Sequence, residues 1–390
     1  HLSIRRQRQM CIRDSSHYRS IFVPPPSSDL TELPPSLGDW RPPQVFSHDL
    51  ATGELVERTP DDDLVRDTLG LRSAGSLGDL VILGGPDLQA GFVAQGGAIN
   101  LFAFDGATGA YLGSRSVPEY LDIRKWLAVD GVLYTAVKTR DGGRVLRWTG
   151  TVDDPFQWEE VGVLDAEGAE LAVHDGRLFV TTWWNELGVQ MAGLWMSPEL
   201  GSDGLRPSDA GLWEKVWAVD DYEPDEAIAY SYFGGALHSY GGDLYWGTIN
   251  FPLVSLGAHV LLRGLDVQQD LPAILAALVP SYRTISIHRG RHFDDPRKKK
   301  IEVLYGEREL FAWEDGRWTL RRNATGVPRY GHSGFGNLFN AYTWTMGIYD
   351  GQLFVGTFDW SFLVGRVARL LADALGVPQE EILDLSLIHI

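Results

Sequence analysis

The chain has 390 residues, with 34 Lys and Arg against 52 Asp and Glu, a formal net charge of -18, and 14 Trp within an aromatic content of 11 %. So acidic a surface excludes a nucleic-acid binder, because phosphate recognition needs clustered cations. The one basic run, Arg297 to Lys300, follows Asp294, Asp295 and Pro296 and reads as a solvated turn. No apolar run is long enough to span a bilayer, and Leu271 to Val279 falls well short.

In chain order, residues 1–15 and 385–390 come first and last, and both resemble translated sequencing-adapter sequence. They are expected to be a non-native leader and tail, with the natural chain cut at both ends. Setting the leader aside removes its net +3 to leave -21, and also removes Cys11, the only cysteine. A disulfide, a cysteine zinc site and a thiol nucleophile are then excluded. Residues 16–44 carry Pro24-Pro25-Pro26-Ser27-Ser28, Pro34-Pro35 and Pro42-Pro43, the composition of a linker or extended arm. From Val45 to 384 short β-branched and aromatic runs alternate with Gly and Asp turn signals, which predicts an all-β fold. The predicted helices are few: Pro272 to Leu278, Val367 to Ala374 and Pro378 to Leu383.

One phrase returns along this segment. It reads Gly176-Arg177-Leu178-Phe179-Val180-Thr181-Thr182, Gly242-Asp243-Leu244-Tyr245-Trp246-Gly247-Thr248 and Gly351-Gln352-Leu353-Phe354-Val355-Gly356-Thr357, with looser copies at Gly78 and Gly131. The intervals are 53, 45, 66 and 109 residues, so a degenerate copy is expected within the last, at Lys300 to Trp318. A second phrase pairs Val45 to Gly53 with Leu101 to Gly109, and Val145 to Trp148 and Val260 to Arg263 echo it. Each unit is therefore a hairpin followed by two outer strands. The hairpin turns at Asp130-Gly131, Asp175-Gly176 and Asp350-Gly351 need the positive φ that glycine supplies. The apolar run after each turn is a strand covered on both faces, and its terminal Gly or Thr lets the next sheet approach. Four-stranded units of this length packed face to face are β-propeller blades. The prediction is a propeller of about seven blades: a partial one at 45–57, then 78–115, 124–163, 169–218, 228–265 and 283–322, and a last one opening at Tyr342 and truncated at the C-terminus. Six is the alternative, if 45–57 completes the sheet begun at 342–358.

The stretch Gly334 to Ser361 resembles a group of bacterial, exported β-propeller proteins with Gly-x-Leu-Tyr-Val-Gly-Thr hairpins. Gln157-Trp-Glu-Glu-Val161 and Leu212-Trp-Glu-Lys-Val216 are similar to that group's Trp-x-x-Val outer strands, and the resemblance covers most of 78–361. It implies the propeller fold and an extracellular or periplasmic location, and it implies no activity. Trp313-Glu-Asp-Gly-Arg-Trp318 is similar to a worn Asp-box turn. Asp49 to Gly53 and Asp105 to Gly109 resemble quinoprotein turns without the docking tryptophan, and Gly84-Gly85 resembles a kelch doublet without its Tyr and Trp.

Loops after a second strand and loops before the next first strand share one rim of a propeller. That places Trp183, Trp184, Asn185 and Glu186, then Asn250, then Asp359 and Trp360, beside the loop carrying His332, Asn337 and Asn340. Aromatic faces beside amides and carboxylates make a sugar- or protein-binding surface. The bland alternative has the tryptophans filling gaps between blades and the asparagines forming turns. His288 and His292 stand four apart near Asp294 and Asp295, but on a strand or loop that spacing guarantees no shared face, so a surface loop is expected rather than a metal site. His174, just before a hairpin turn, is expected to be structural. The function expected is a non-enzymatic, monomeric binding or scaffold propeller for a carbohydrate or protein ligand, with no cofactor. The alternative is a carbohydrate-active hydrolase or lyase at the channel mouth, using a divalent cation such as calcium.

Overall fold

The computed structural model describes residues 8–13, 42–89, 96–251, 253–361 and 364, with the backbone alone for 8–13. The predicted helices at 367–374 and 378–383, the tail and most of the arm and leader lie outside the described residues. The chain divides into two compact units, residues 1–180 with 197–214, and residues 181–196 with 215–390.

The first unit begins with strands β1 (Arg8–Arg13), β2 (Gln44–Asp49) and β3 (Leu55–Glu57), an antiparallel sheet with β2 in the middle, and the short helix α1 (Asp63–Arg66). Two four-stranded meanders follow: β4 (Ser73–Leu77), β5 (Leu80–Pro86), β6 (Ile99–Asp105) and β7 (Tyr111–Val117), then β8 (Asp122–Val129), β9 (Val132–Thr139), β10 (Gly142–Trp148) and β11 (Trp158–Leu164). They match the blades expected at 78–115 and 124–163, the first of them starting one strand earlier. In both meanders the strand after the first hairpin turn is buried nearly throughout, as in β9, where Leu133 to Val137 are all buried. A strand inside a stack of sheets has no wet face, so its sequence does not alternate. Between the meanders Ile82, Leu101, Ile123, Trp126, Val137 and Leu146 form one core, where the Trp126 and Trp148 rings meet edge-on at 5.1 Å.

Next come β12 (Glu167–His174), β13 (Arg177–Trp183), β14 (Gly193–Glu199) and β15 (Glu214–Ala218), the four strands expected at 169–218. The boundary between the units passes through β13 and β14 and just inside the start of β15. The two matching copies of the second phrase, at Val45 to Gly53 and Leu101 to Gly109, are the same turn: Asp49 Oδ1 accepts from the amides of Ala51 and Thr52, and Asp105 Oδ1 from those of Ala107 and Thr108. Each closes with a glycine at φ +74°.

The second unit holds α2 (Glu226–Ala229), β16 (Phe233–Tyr240), β17 (Asp243–Ile249), helices α3 (Val254–Leu262) and α4 (Leu271–Ala277), then β18 (Ile287–Arg291) and β19 (Lys300–Tyr305). β16, β17, β18 and β19 form consecutive strands of one sheet. This corrects two expectations. Val260 to Arg263 is the end of α3 and its cap, and 283–322 is not a blade of its own. β18 and β19 complete the sheet begun by β16, while β20 (Glu309–Glu314) and β21 (Arg317–Arg322) pair as a separate hairpin. A four-residue apolar echo cannot separate strand from helix. Here the spacing of Leu253, Leu256 and Val260 puts one face of α3 and its N-cap against Ile274 and Ala277 of α4.

Hairpin β22 (Asn340–Tyr349) and β23 (Gln352–Asp359) closes the described chain; β23, expected to be covered on both faces like the other strands after a turn, is half-buried to exposed along its length, because it pairs with β22 alone. Five hairpins turn on two residues that both have positive φ: Asp130-Gly131, Asp175-Gly176, Gly241-Gly242, Asp315-Gly316 and Asp350-Gly351. These are type I′ turns, so the aspartate shares the left-handed geometry that was expected of glycine alone. The close approach expected at the phrase's end is seen at Gly247, where a Cβ would lie 2.4 Å from Thr343 Oγ1. Repeated four-stranded antiparallel meanders on I′ hairpins give an all-β fold of the β-propeller type.

Candidate functional site

In the second unit the ends of β13, β17 and β23 meet the starts of β16 and β22. Trp183 pairs with Phe233, Ile249 with Tyr342, and Asn340 with Asp359. The strand-end geometry expected of the rim is therefore present within this unit. Rings gather there: Trp183 stands 4.8 Å from Phe233, Trp184 5.3 Å from Phe233, Phe251 5.8 Å from Tyr342, and Tyr342 4.8 Å from Trp344. Trp183 Nε1 donates to the Gly234 carbonyl at 2.7 Å, which fixes its ring. Trp184 Nε1 is buried without a hydrogen-bond partner. Trp344 is 60 % exposed, so the cluster continues from core to surface.

The polar side chains hang on the loop before β22. Gly334 and Phe335 both have left-handed φ, which turns this loop back on itself. Asn340 Nδ2 then donates to the Gly334 carbonyl at 2.8 Å, and Asn337 Oδ1 accepts from the Phe339 amide at 2.9 Å. Both asparagines thus form local turns, as in the bland reading. Asn337 also reaches outward: its Nδ2 donates to Asp359 Oδ2 at 2.8 Å. Bonds from Ser361 and Asn337 hold the Asp359 carboxyl below its ordinary range. Asn250 is buried, its Oδ1 accepts from Thr248 Oγ1 at 3.4 Å, and its Nδ2 has no partner.

The remaining predicted residues stand apart. Asn185 is buried and Glu186 exposed in the loop after β13. Trp360 is buried, with its ring 5.2 Å from Phe339. His332 has an 80 % exposed side chain, and its Nδ1 lies 3.0 Å from Glu307 Oε2, whose hydrogen bond and then charge raise the imidazole pKa. Phe233, Tyr342 and Trp344 complete the ring cluster without having been singled out in the sequence. Their signal was position, at the start of first strands.

His288 and His292 do not share a face. His288 is fully buried on β18, with its ring stacked 5.6 Å from Trp246, and its Nε2 lies 2.9 Å from Ser286 Oγ. Burial pushes its pKa down to about 3, so it is neutral. The surface loop expected for this pair holds for His292, which is exposed, and fails for His288 because β18 is an interior strand. His174 is buried against Phe179, as expected of a structural residue. Among the described residues no group of three or more His, Cys, Asp or Glu is placed to hold a metal ion. None of the helices among them is long and apolar enough to cross a membrane.

A second constellation, missed in the sequence, lies in the first unit. Arg72 precedes β4, Asp122 and Arg124 open β8, Lys138 lies near the end of β9, and Glu167 opens β12. Lys138 Nζ stands 3.6 Å from Glu167 Oε2 and Arg72 Nη2 3.6 Å from Asp122 Oδ2. Glu167 is 4 % exposed. Burial pushes its carboxyl pKa up; Lys138, Arg124 and Arg72 pull it down, and Asp122 adds to the rise.

No protein-family model and no curated protein matches the chain. Among solved structures it is similar to the acylaminoacyl peptidase of Pyrococcus horikoshii, at 8 % identity over 84 % of this chain and 43 % of that one, TM-score 0.36. The β-propeller domain of the Trilobed protease from Pyrococcus furiosus follows at 9 % identity, over 73 % of this chain and 76 % of that one, TM-score 0.35. The exo-β-1,3-galactanase of Phanerochaete chrysosporium has 11 % identity over 56 % of this chain and 52 % of that one, TM-score 0.34. The chain spans less than half the length of the peptidase. With TM-scores this low, these similarities carry no conclusion about this protein's activity.

Proposed function

We propose that the protein is a binding module of the propeller type that takes a carbohydrate chain on the ring cluster of its second unit. One observation carries this reading: Trp344 lies 60 % exposed with its ring 4.8 Å from Tyr342, extending an otherwise buried cluster into solvent. A sugar's apolar face stacks on such a ring, and its hydroxyls need acceptors and donors at the edge. Asp359, kept ionised, and Asn337 supply them. The hydrolase or lyase reading would need a carboxyl at this rim with its pKa raised to hold a proton, and Asp359 is shifted the other way. An extracellular or periplasmic setting belongs to the same proposal.

The test is oligosaccharide binding, by glycan array and then calorimetry, for the wild type and Trp344→Ala. Loss of one exposed stacking ring should weaken binding about tenfold. The melting temperature should stay within a degree or two, because Trp344 is mostly solvated. Full retention of binding by Trp344→Ala would remove this reading.

A further inference from the structure

The charged group of the first unit is not built like a structural ion pair. The second unit shows what such a pair looks like: Arg283 Nε and Nη2 meet both oxygens of Glu223 at 2.5 and 2.8 Å, and the remaining donors reach the carbonyls of Phe311, Pro280 and Tyr282. That pair is buried and saturated. Lys138 Nζ lies 3.6 Å from Glu167 Oε2, longer than a direct hydrogen bond, and Glu167 Oε1 is buried without a hydrogen-bond partner. The side chains of Arg72 and Lys138 stay 31 % and 20 % exposed, so the group opens to solvent on its cationic side.

The charges are unequal. Arg72, Arg124 and Lys138 stand against Asp122 and Glu167, a formal +1 within a chain of -18. These four, from β8, from β9 and from the segment before β4, are the charged groups that act on Glu167. Protonating Glu167 would leave the group at +2 with a carboxylic O–H as a further donor.

We propose that Arg72, Arg124, Lys138 and protonated Glu167 form a site for a small oxyanion, a carboxylate, sulfate or phosphate group, whose binding takes up a proton. The cations meet the anion's oxygens, and Glu167 donates its hydroxyl to one of them, which gives Oε1 the partner it lacks. A negative ligand next to Glu167 favours the neutral carboxyl, so anion and proton bind together. The sign follows: affinity is highest at pH values where Glu167 is protonated and falls as pH rises through its elevated pKa. The same chemistry recognises an oxyanion free in solution and one carried on an acidic sugar, and the two sources are separable by experiment.

The experiment is isothermal calorimetry on the whole chain with sodium sulfate, sodium selenate and sodium glucuronate, none of which titrates between pH 6 and pH 8, matched in ionic strength with chloride. It is run at pH 6 and pH 8 in buffers of different ionisation enthalpy. Binding should weaken about tenfold from pH 6 to pH 8, with close to one proton taken up per anion at pH 8. Binding by the inorganic ions points to a free anion, and binding by glucuronate alone points to an acidic sugar. Glu167→Gln should bind with no pH dependence and no proton uptake. Arg72→Gln, at a partly exposed position, should weaken binding at least tenfold at both pH values. Absence of binding by all three anions overturns the site, and so does a pH dependence that survives in Glu167→Gln.

Discussion

In the first unit the first strands of successive sheets open on charge: Arg72 before β4, Asp122 on β8, Glu167 on β12. In the second unit the same positions carry Phe233 on β16 and Asn340 on β22, and the ends of the second strands carry Trp183, Ile249 and Asp359. The scaffold is alike in both, with meander sheets on I′ hairpins. Strands β5, β9, β13 and β17 are buried along most of their length and so need apolar residues there, but the first and last residues of a strand leave the stack and escape that demand. One backbone unit thus presents charge in one region and rings with amides in the other.

The comparison has a counterpart in the buried charges, and the largest expected effect lies there. Glu223 and Arg283 are almost wholly excluded from water in the second unit, with Tyr232 also donating to Glu223 Oε2 at 2.9 Å. Glu223→Gln leaves a buried guanidinium without its counter-ion and should cost about 3–5 kcal/mol in denaturant unfolding. The double replacement Glu223→Gln with Arg283→Met should recover a good part of that loss. If the single variant cost less than about 1 kcal/mol, the pair would be no staple, and its contrast with the open Glu167 group would vanish.

Next in size is a pH effect of opposite sign in the two units. His288 has its pKa lowered from 6.5 to about 3 by burial. A group depressed in the folded state contributes stability that is complete above its unfolded pKa and is lost as pH falls from 6.5 towards 3. His288→Phe keeps a ring on Trp246 and removes the titration, so by pH 4 it should abolish roughly 3 kcal/mol of the wild type's acid loss. Glu167 has its pKa raised above 4.5, so its contribution is complete below 4.5 and is lost as pH rises through the elevated value. Glu167→Gln should therefore flatten the alkaline side of the stability profile where His288→Phe flattens the acid side. Unfolding curves from pH 4 to 9 for the two variants check both signs.

Much of this scaffold was legible because it rests on short-range rules. Asp-Gly pairs at 130, 175 and 350 announced two-residue turns, and all three are type I′. Gly247 announced a close approach, and Thr343 makes it. The rule failed where a sheet was interrupted. Between β17 and β18 the chain inserts α3 and α4, so strand order no longer follows a fixed spacing, and β18 and β19 were assigned to the wrong blade. The rim was half legible, because the residues after a second strand can be located from the repeat. The fates of Asn337, Asn340 and Trp360 depended on a loop whose left-handed Gly334 and Phe335 no repeat encodes. The Glu167 group was not legible, since its members are spread from position 72 to 167 and none sits in a motif.

The smallest effect tests whether the two scaffolds are equivalent. Gly131 turns β8 into β9 in the first unit at φ +81°, and Gly351 turns β22 into β23 in the second at φ +68°. A Cβ at either position meets no atom within 4 Å, so an alanine there clashes with nothing outside the turn. The cost of Gly131→Ala and of Gly351→Ala is then the backbone strain of a left-handed L-residue, about 1–2 kcal/mol each. Equal losses in chemical denaturation would mean that the hairpins are interchangeable and that the units differ only in what their strand ends carry. A Gly351→Ala loss well below that of Gly131→Ala would mean that β22 and β23, where the exposed Trp344 and Phe354 lie, are held less firmly than β8 and β9. In that case the ring cluster would sit on the more deformable hairpin, and its ligand affinity would carry an ordering cost that the charged group of the first unit does not.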